Sequence, residues 1–582
     1  MSWIFGVYYK NSDNKLPSLD QINAKISYTP NYAISTNNCS IVAGGLPETC
    51  LSLSQMDCGW IVSGLGILKK RGEIKLLGIS DWGDLLTQGD FKNNRLDLNG
   101  HFSIVKWSPS QVELYTDSLE LKRFYILEQD EYVFFSTRLD WLLKFVKGLS
   151  FNFGNFGSQW FLTNSFNEGS LLLGVVRLGS NGRCILSNER TIFEKTHWAP
   201  EVIVKEKEFD DNDLKGLITL PFSLDKKVTL GLSGGIDCRT ILSYLLGISE
   251  KEWAVHTYGD ECDLDVEVAN KIADQFELTQ YNYFFKHSSF ETVTIIVDEM
   301  REIALHTEMT FPIYYYQLFN LYKAMYKNNY WIVDGDLGGF FRRQFGKSIL
   351  FKGKKRITEG NYLPLIPYFL NKSFPIFEQS FGDLLYKNAQ NDVVQAFSSM
   401  PDIKYMFHGD WVDLFFIRYN IKNCPANTRG YFDSFIPNYM PFVQPLMLSS
   451  YLNLPVSSRD NGKINFKIIK KNFPALFKFP LVRYNMTVPF FMEKNLFLLK
   501  LWAKLKPKKK PFVSFPMENL FLLKDYMYDR LNSQKVKECP YYNFKYLRRS
   551  FNSFYRAKEY GKAQILYLWL TFDFWREEMD KS

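Results

Sequence analysis

The sequence predicts an α+β chain in three parts: an antiparallel β-sandwich over residues 1–195, an α/β unit with a parallel sheet over 205–500, and a helical extension over 501–582. Three observations carry this. Short β-type runs alternate with turn residues through the first third. A strand, a glycine turn and a helix follow one another in "VTLGLSGGIDCRTILSYLLG", with a second strand, acidic loop and helix directly behind. A basic, aromatic-rich stretch ends the chain.

A chain of 582 residues exceeds what one core can organise and is long enough for two or three domains. With 46% hydrophobic and 23% charged residues the composition is globular, and disorder is not expected to dominate, although 17% aromatic is high. No run approaches the ~20 apolar residues of a membrane helix. The start, MSWIFGVYYK, has no basic region ahead of a long apolar core, so a cytoplasmic protein with no membrane part is expected. The eight cysteines form no CxxC pair and have no histidine at ligand spacing, which argues against a zinc site or a disulfide framework. Seventy basic against 62 acidic side chains give a modest +8, and the one dense run, KLKPKKKP, reads as a solvated linker. No nucleic-acid partner is expected.

In the first third, IFGVYY, CSIVAGG, CGWIVSGLGIL, HFSIVKW, VELYTD, RFYILE and YVFFSTR are strand-like runs bounded by turn residues. Their succession, from "LNGHFSIVKW" to "VELYTD", "LKRFYILE" and "YVFFSTRLDWLLKF", resembles the glutaminase domain of asparagine synthetases, an Ntn-hydrolase-like fold. Working members of that domain attack with an amino-terminal cysteine whose own α-amine serves as base. This sequence has Ser2 there, and a hydroxyl is far less acidic than a thiol. A retained scaffold without glutaminase activity is expected.

Val228 to Leu246 reads as a buried strand, a tight turn and a helix, with turn glycines that let N–H groups converge on an anion at the positive end of the helix. The turn, S-G-G-x-D, resembles the pyrophosphate loop of the ATP-pyrophosphatase domain in asparagine synthetases. That resemblance implies that Ser233, Gly234 and Gly235 cradle pyrophosphate and that Asp237 holds Mg²⁺. Cys238 replaces a serine, and its thiol is a weaker hydrogen-bond partner. The following strand, ending in Tyr258 and Gly259, precedes Asp265 and Ala269 in a D-x-x-x-A pattern that is similar to the same family. The implied adenine contacts are Leu232 and the backbone near Thr257 and Tyr258.

A third strand leads into "VDGDLGGFFRR", where family members carry S-G-E-G-A-D-E. Asp334 and Gly335 align with the Ser-Gly and Asp336 with the glutamate, but Gly339 stands where the second Mg²⁺ aspartate belongs. Three routes remain open: Asp336 supplies the missing carboxylate, or Asp237, phosphates and water hold the ion, or the site binds ATP poorly. Arg342 and Arg343 are candidates for stabilising pyrophosphate charge. The family's closing R-x-K is matched by Arg483 but ends in Asn485, which leaves Lys463, Lys467 or Lys470 to replace the lysine; Lys467 is taken as the catalytic candidate.

The resemblance is closest to members lacking the glutaminase cysteine, the lasso peptide macrolactam cyclases and β-lactam synthetases. It implies ATP- and Mg²⁺-dependent amide-bond formation through an acyl-adenylate, as ring closure within a peptide substrate. A leader-binding protein and a protease are the implied partners. Two alternatives stay open: amidation of a small metabolite or sugar acid by ammonia, and a catalytically degenerate scaffold, since Ser2, Gly339 and Asn485 depart together.

Overall fold

A computed structural model describes the chain except for residues 1, 11–16, 56, 88–90, 92–96, 163–164, 201–207, 287–291, 344–345, 347–348, 350–352, 371–374, 424, 484, 495–497, 499–500, 503, 505–513 and 582. The amino-terminal part holds two antiparallel sheets. One runs, in spatial order, Val175–Arg177, Tyr125–Glu128, Tyr132–Ser136, Trp3–Tyr9, Cys39–Gly44, Tyr32–Ser35. The other runs Thr191–Glu194, Arg183–Ser187, Gln111–Thr116, Asn99–Trp107, Cys58–Lys70, Cys50–Gln55, with Glu73–Leu76 added on Cys58–Lys70.

Side chains alternate across a strand, and that alternation decides what each face packs against. Ile4, Ile41 and Phe135 of the first sheet meet Ile61, Val105 and Leu114 of the second in one core. The strand Trp3–Tyr9 is buried on both faces, because Trp3, Phe5 and Val7 point the other way, into a cluster with Ile22, Ile26 and Trp141. Those three come from the helices Leu19–Ile26 and Asp140–Phe145. The outer face of the second sheet is covered likewise: Trp82 and Leu86, from Ile79–Thr87, pack with Trp60, Val62, Phe102 and Ile104. The sandwich is therefore four layers deep, with a helix layer on each outer face. The strand spacing alone predicts the two sheets without those helices.

The second part is built on a parallel sheet of five strands: β1 (Lys227–Gly231), β2 (Trp253–Gly259), β3 (Gln280–Phe284), β4 (Tyr330–Val333) and β5 (Asn438–Tyr439). Their spatial order is β3-β2-β1-β4-β5, and every pair is parallel. Strands covered on both faces read as continuous apolar runs, as "YWIV" does in β4. The strand order reverses direction at β1, between β2 on one side and β4 on the other. At such a switch point connections leave to opposite faces and a crevice opens at the carboxyl ends of the strands. Helix α1 (Ile236–Leu245) follows β1, helix α2 (Leu264–Gln275) follows β2, and α3 (Lys463–Asn472) packs on α1. A short hairpin, β6 (Leu481–Arg483) and β7 (Met486–Val488), approaches α2.

The carboxyl-terminal helices belong to the interior. Helix α4 (Phe544–Tyr555) buries Leu547, Phe551 and Phe554. Helix α5 (Ala563–Met579) is buried on nearly all sides; Phe572 meets Phe151 and Phe156 of the amino-terminal part. The indole of Trp575 donates to the carbonyl of Ala304 at 2.8 Å. No described helix is long and apolar enough to cross a membrane.

Candidate functional site

At the switch point lies a cleft of about 810 Å³. Leu232, Ser233, Gly235, Asp237, Cys238, Thr257, Tyr258, Gly259, Asp334, Gly335, Asp336 and Arg342 all line it. Gly234 stands just behind, where the hairpin covers it. These residues come from three separate stretches of sequence, brought together because β2, β1 and β4 are neighbours and all end at the same edge.

The S-G-G turn is held from several sides. Asp265, from the first turn of α2, accepts the Gly234 N–H at 2.8 Å, and Ser233 Oγ accepts the Gly235 N–H at 3.1 Å. Val482 of β6 donates its N–H to the Gly234 carbonyl at 3.0 Å. A side chain at 234 has no room, since a Cβ there would lie 2.7 Å from Val482 Cβ. Arg239, fully buried on α1, fastens the hairpin by donating to the Phe479 carbonyl at 2.9 Å and to the Pro480 carbonyl. Burial lowers its pKa to about 10, which still leaves it charged near neutrality.

Helix α1 begins at Gly235 with no side-chain cap, so its first N–H groups face the cleft. Cys238 Sγ lies 3.4 Å from the Gly235 carbonyl and 3.5 Å from Ser233 Oγ, inside the turn. Burial pushes its thiol pKa up, which suits a packing role and not a nucleophile.

Asp237 and Asp336 are not brought together as a metal pair. Arg342 binds Asp237 with two hydrogen bonds, Nε to Oδ1 at 3.0 Å and a terminal nitrogen to Oδ2 at 2.7 Å. Asn465 of α3 adds a donor to Oδ1 at 3.4 Å. The loop after β4 lies hard against the helix start: a Cβ on Gly338 would sit 2.6 Å from that of Asp237. Asp336 pairs instead with Arg429, from the helix Pro425–Phe432, which also reaches Asp334 at 3.0 Å. The Asp336 side chain remains 60% exposed, so solvent and ligands reach it. Among the described residues no group of three His, Cys, Asp or Glu side chains converges. A divalent cation held jointly by Asp237 and Asp336 does not fit this arrangement.

The far end of the cleft is aromatic. Tyr258 and Tyr315 meet edge to face at 6.2 Å. Leu232 forms a wall with its backbone already used: its N–H donates to the His256 carbonyl at 2.8 Å, and its carbonyl accepts from Thr257 Oγ1 at 3.0 Å. His256 pairs with Thr229 Oγ1 at 2.8 Å; burial, then Arg429, lower its pKa to about 3, so it is neutral.

Lys467 does not belong to the cleft. Helix α3 turns Ile464, Asn465, Ile468 and Ile469 inward, which leaves Lys463, Lys467 and Lys470 on its solvent side. Asn465 is the member of that helix that reaches the site. Arg343 points away to Asp413 and Asp460, both at 2.9 Å. Asp265, Arg429, Asn465 and the hairpin residues Val482 and Asn485 are site residues that sequence reasoning does not assign. Asp265, inside the D-x-x-x-A pattern, and Asn485, at the end of the R-x-K match, carried a signal.

Ser2, at the other candidate position, is fully buried. Lys122 donates to its hydroxyl at 3.0 Å and pairs with Asp433 at 3.1 Å; His101 lies 3.0 Å from both Asp433 oxygens. Asp433 belongs to the second part of the chain, so this network ties the two parts together. Burial would raise the pKa of Asp433, but His101 and Lys122 outweigh it and hold the carboxylate below its ordinary range. Lys122 and Asp433 therefore enclose the Ser2 hydroxyl in a buried network.

No family model matches the chain. No curated protein matches it. Among solved structures, one described as the structure of the allosteric regulatory enzyme of purine biosynthesis is 9% identical, over 49% of this chain and 74% of that chain, with a TM-score of 0.21.

Proposed function

We propose that this protein binds ATP in the switch-point cleft and forms an amide bond through an acyl-adenylate, most simply closing a ring within a peptide substrate, without glutaminase activity. The observation that carries the reading is the convergence of Ser233, Gly235, Asp237, Thr257–Gly259, Asp334–Asp336 and Arg342 on one cleft. The four-layer amino-terminal part, with Ser2 sealed by Lys122, supports a retained Ntn-like scaffold. A leader-binding protein and a protease are the partners this reading implies.

In this reading the triphosphate lies at the start of α1, where N–H groups and Arg342 meet negative charge, and the base lies toward Tyr258 and Gly259. A substrate carboxylate oxygen attacks the α-phosphorus, the bond to the β-phosphate oxygen breaks, and pyrophosphate leaves against Arg342. The substrate amine then attacks the acyl carbon and AMP departs. Asp336, a carboxylate open to the cleft, stands ready to take the proton the amine sheds. Asp237 is a positioning residue: two hydrogen bonds aim the guanidinium of Arg342. Mg²⁺ is expected from the resemblance; a seat shared by Asp237 and Asp336 does not fit the pairs these carboxylates form with Arg342 and Arg429.

Incubation with ATP and a peptide carrying a free α-amine and an Asp or Glu side chain should release AMP and remove one water from the peptide. ADP, or an unchanged peptide mass, would count against the reading. The Asp237–Arg342 pair also favours a second reading, a nucleotide-binding scaffold; tight ATP binding with no AMP release from any peptide would select it.

A further inference from the structure

The formal charge of +8 is not spread over the chain. Residues 501–582 hold 17 basic and 9 acidic side chains, while residues 1–500 hold 53 of each, so the whole excess sits in the last 82 positions. Within them, 535–562 carries eight basic and two acidic residues.

Helix α4 organises that charge. Its apolar face, Leu547, Phe551 and Phe554, is buried against the core. Lys545, Arg548 and Arg549 stand on the opposite, exposed face, at the i, i+3, i+4 spacing that aligns side chains along one side of a helix. Together with Phe544, Asn552, Ser553 and Ala557 they line a shallow concavity of about 550 Å³. None of the three cations forms an ion pair among the described residues. Elsewhere the chain neutralises its arginines closely, as in the Arg459–Asp413 pair at 2.7 Å and the Arg138–Asp140 pair at 2.6 Å. On the neighbouring helix Lys524–Asn532, Asp525 and Asp529 do not line the concavity.

We infer that this face of α4 docks an acidic, extended polypeptide segment of a partner protein. The row from Lys545 to Tyr555, where α4 ends, spans roughly 15 Å at about 1.5 Å per residue, and Ala557 in the following turn extends it further. That length matches about five or six residues of extended chain, whose alternate side chains fall on one side about 6.6 Å apart. Arg548 and Arg549 offer planar forks to carboxylates, and Asn552 and Ser553 offer hydrogen bonds to the peptide backbone. A nucleic acid fits less well. The lining contains one aromatic ring, that of Phe544, and residues 1–500 carry no net charge. The docking face shares no residue with the cleft lining and does not depend on what the cleft binds.

Fluorescence anisotropy on the full chain tests this, with a fluorescein-labelled decaglutamate peptide as probe at about 50 mM NaCl. The wild type should bind saturably, and R548E/R549E should weaken binding about 10-fold, or about 1.4 kcal/mol. R548Q/R549Q, which removes charge without repulsion and checks against misfolding of the first variant, should give a smaller loss in the same direction. K354E/K355E, on the exposed helix Lys354–Thr358, should change affinity less than about 2-fold. No binding, equal losses in the R548E/R549E and K354E/K355E variants, or tighter binding of a labelled oligothymidylate through the same arginines would overturn the inference.

Discussion

Val482 and Gly234 lie backbone to backbone, the N–H of one donating to the carbonyl of the other at 3.0 Å. The hairpin β6–β7 is thereby a clasp on the S-G-G turn, and Arg239 is its pin. The glycine at 234 serves this contact as much as it serves any ligand. Gly234→Ala should push the hairpin off and lower stability by about 1–3 kcal/mol. Arg239→Met strands the carbonyls of Phe479 and Pro480 and should cost a similar ~1–3 kcal/mol. Thermal melts measure both, and limited proteolysis should show earlier cleavage near 480–488 than in the wild type. Unchanged melting and cleavage would refute the clasp.

The same loop shows what was legible in the sequence. The strand, turn and helix at 227–245 are local: apolar runs, turn glycines and a 3.6-residue period identify them without knowledge of the rest. What the turn touches is not local. Asp265 lies 31 residues from Gly234, and Arg429 lies 93 from its partner Asp336. The choice of Lys467 failed for a readable reason. Ile464, Ile468 and Ile469 define the inward stripe of α3, and lysines at 463, 467 and 470 fall on the other side. The helices over the sandwich are short, and the Trp82 and Trp141 they bury lie too far from their partner strands in sequence to betray the layer.

Arg342 supplies a positive charge that lines the cleft beside the start of α1, so nucleotide affinity should follow this residue. Calorimetry should find ATP affinity in EDTA within about 3-fold of that in Mg²⁺ for the wild type. Arg342→Met should lose about 10-fold in EDTA, or about 1.4 kcal/mol. Absolute dependence on Mg²⁺ in the wild type would instead mean that the ion displaces Arg342 from Asp237.

His256 gives the protein a pH signature. Its folded pKa, near 3, lies below the ordinary 6.5 because it is buried beside Thr229 with Arg429 close by. Below pH 6.5 the unfolded chain gains a proton that the folded protein refuses, so this group makes stability fall as pH falls from about 6.5 toward 3. The slope from one such group is at most about 1.4 kcal/mol per pH unit. In denaturant unfolding across pH 4–7, His256→Gln should flatten the profile by about that amount; identical slopes would show that His256 titrates normally.

Ser2 is the residue whose position most invites a revived glutaminase, and Lys122 predicts that the revival fails. Ser2→Cys would leave the side chain fully enclosed beside Lys122, whose Nζ lies 3.0 Å from the Ser2 hydroxyl and also donates to Asp433 at 3.1 Å. Glutamine hydrolysis by this variant should stay at background, and detectable glutamate release would contradict the sealed site. Lys122→Met removes one partner of Asp433 while His101 and Asn438, at 3.0 and 2.9 Å, keep theirs. Breaking a buried ion pair costs about 3–5 kcal/mol when no other partner remains, so a smaller loss, about 2–3 kcal/mol, is expected here. Because Asp433 lies in the second part of the chain, the loss should appear as weakened attachment of the amino-terminal part. Hydrogen exchange should therefore quicken along Trp3–Tyr9 and Asn99–Trp107, the strands that begin at this contact, before it quickens in β1 or β4.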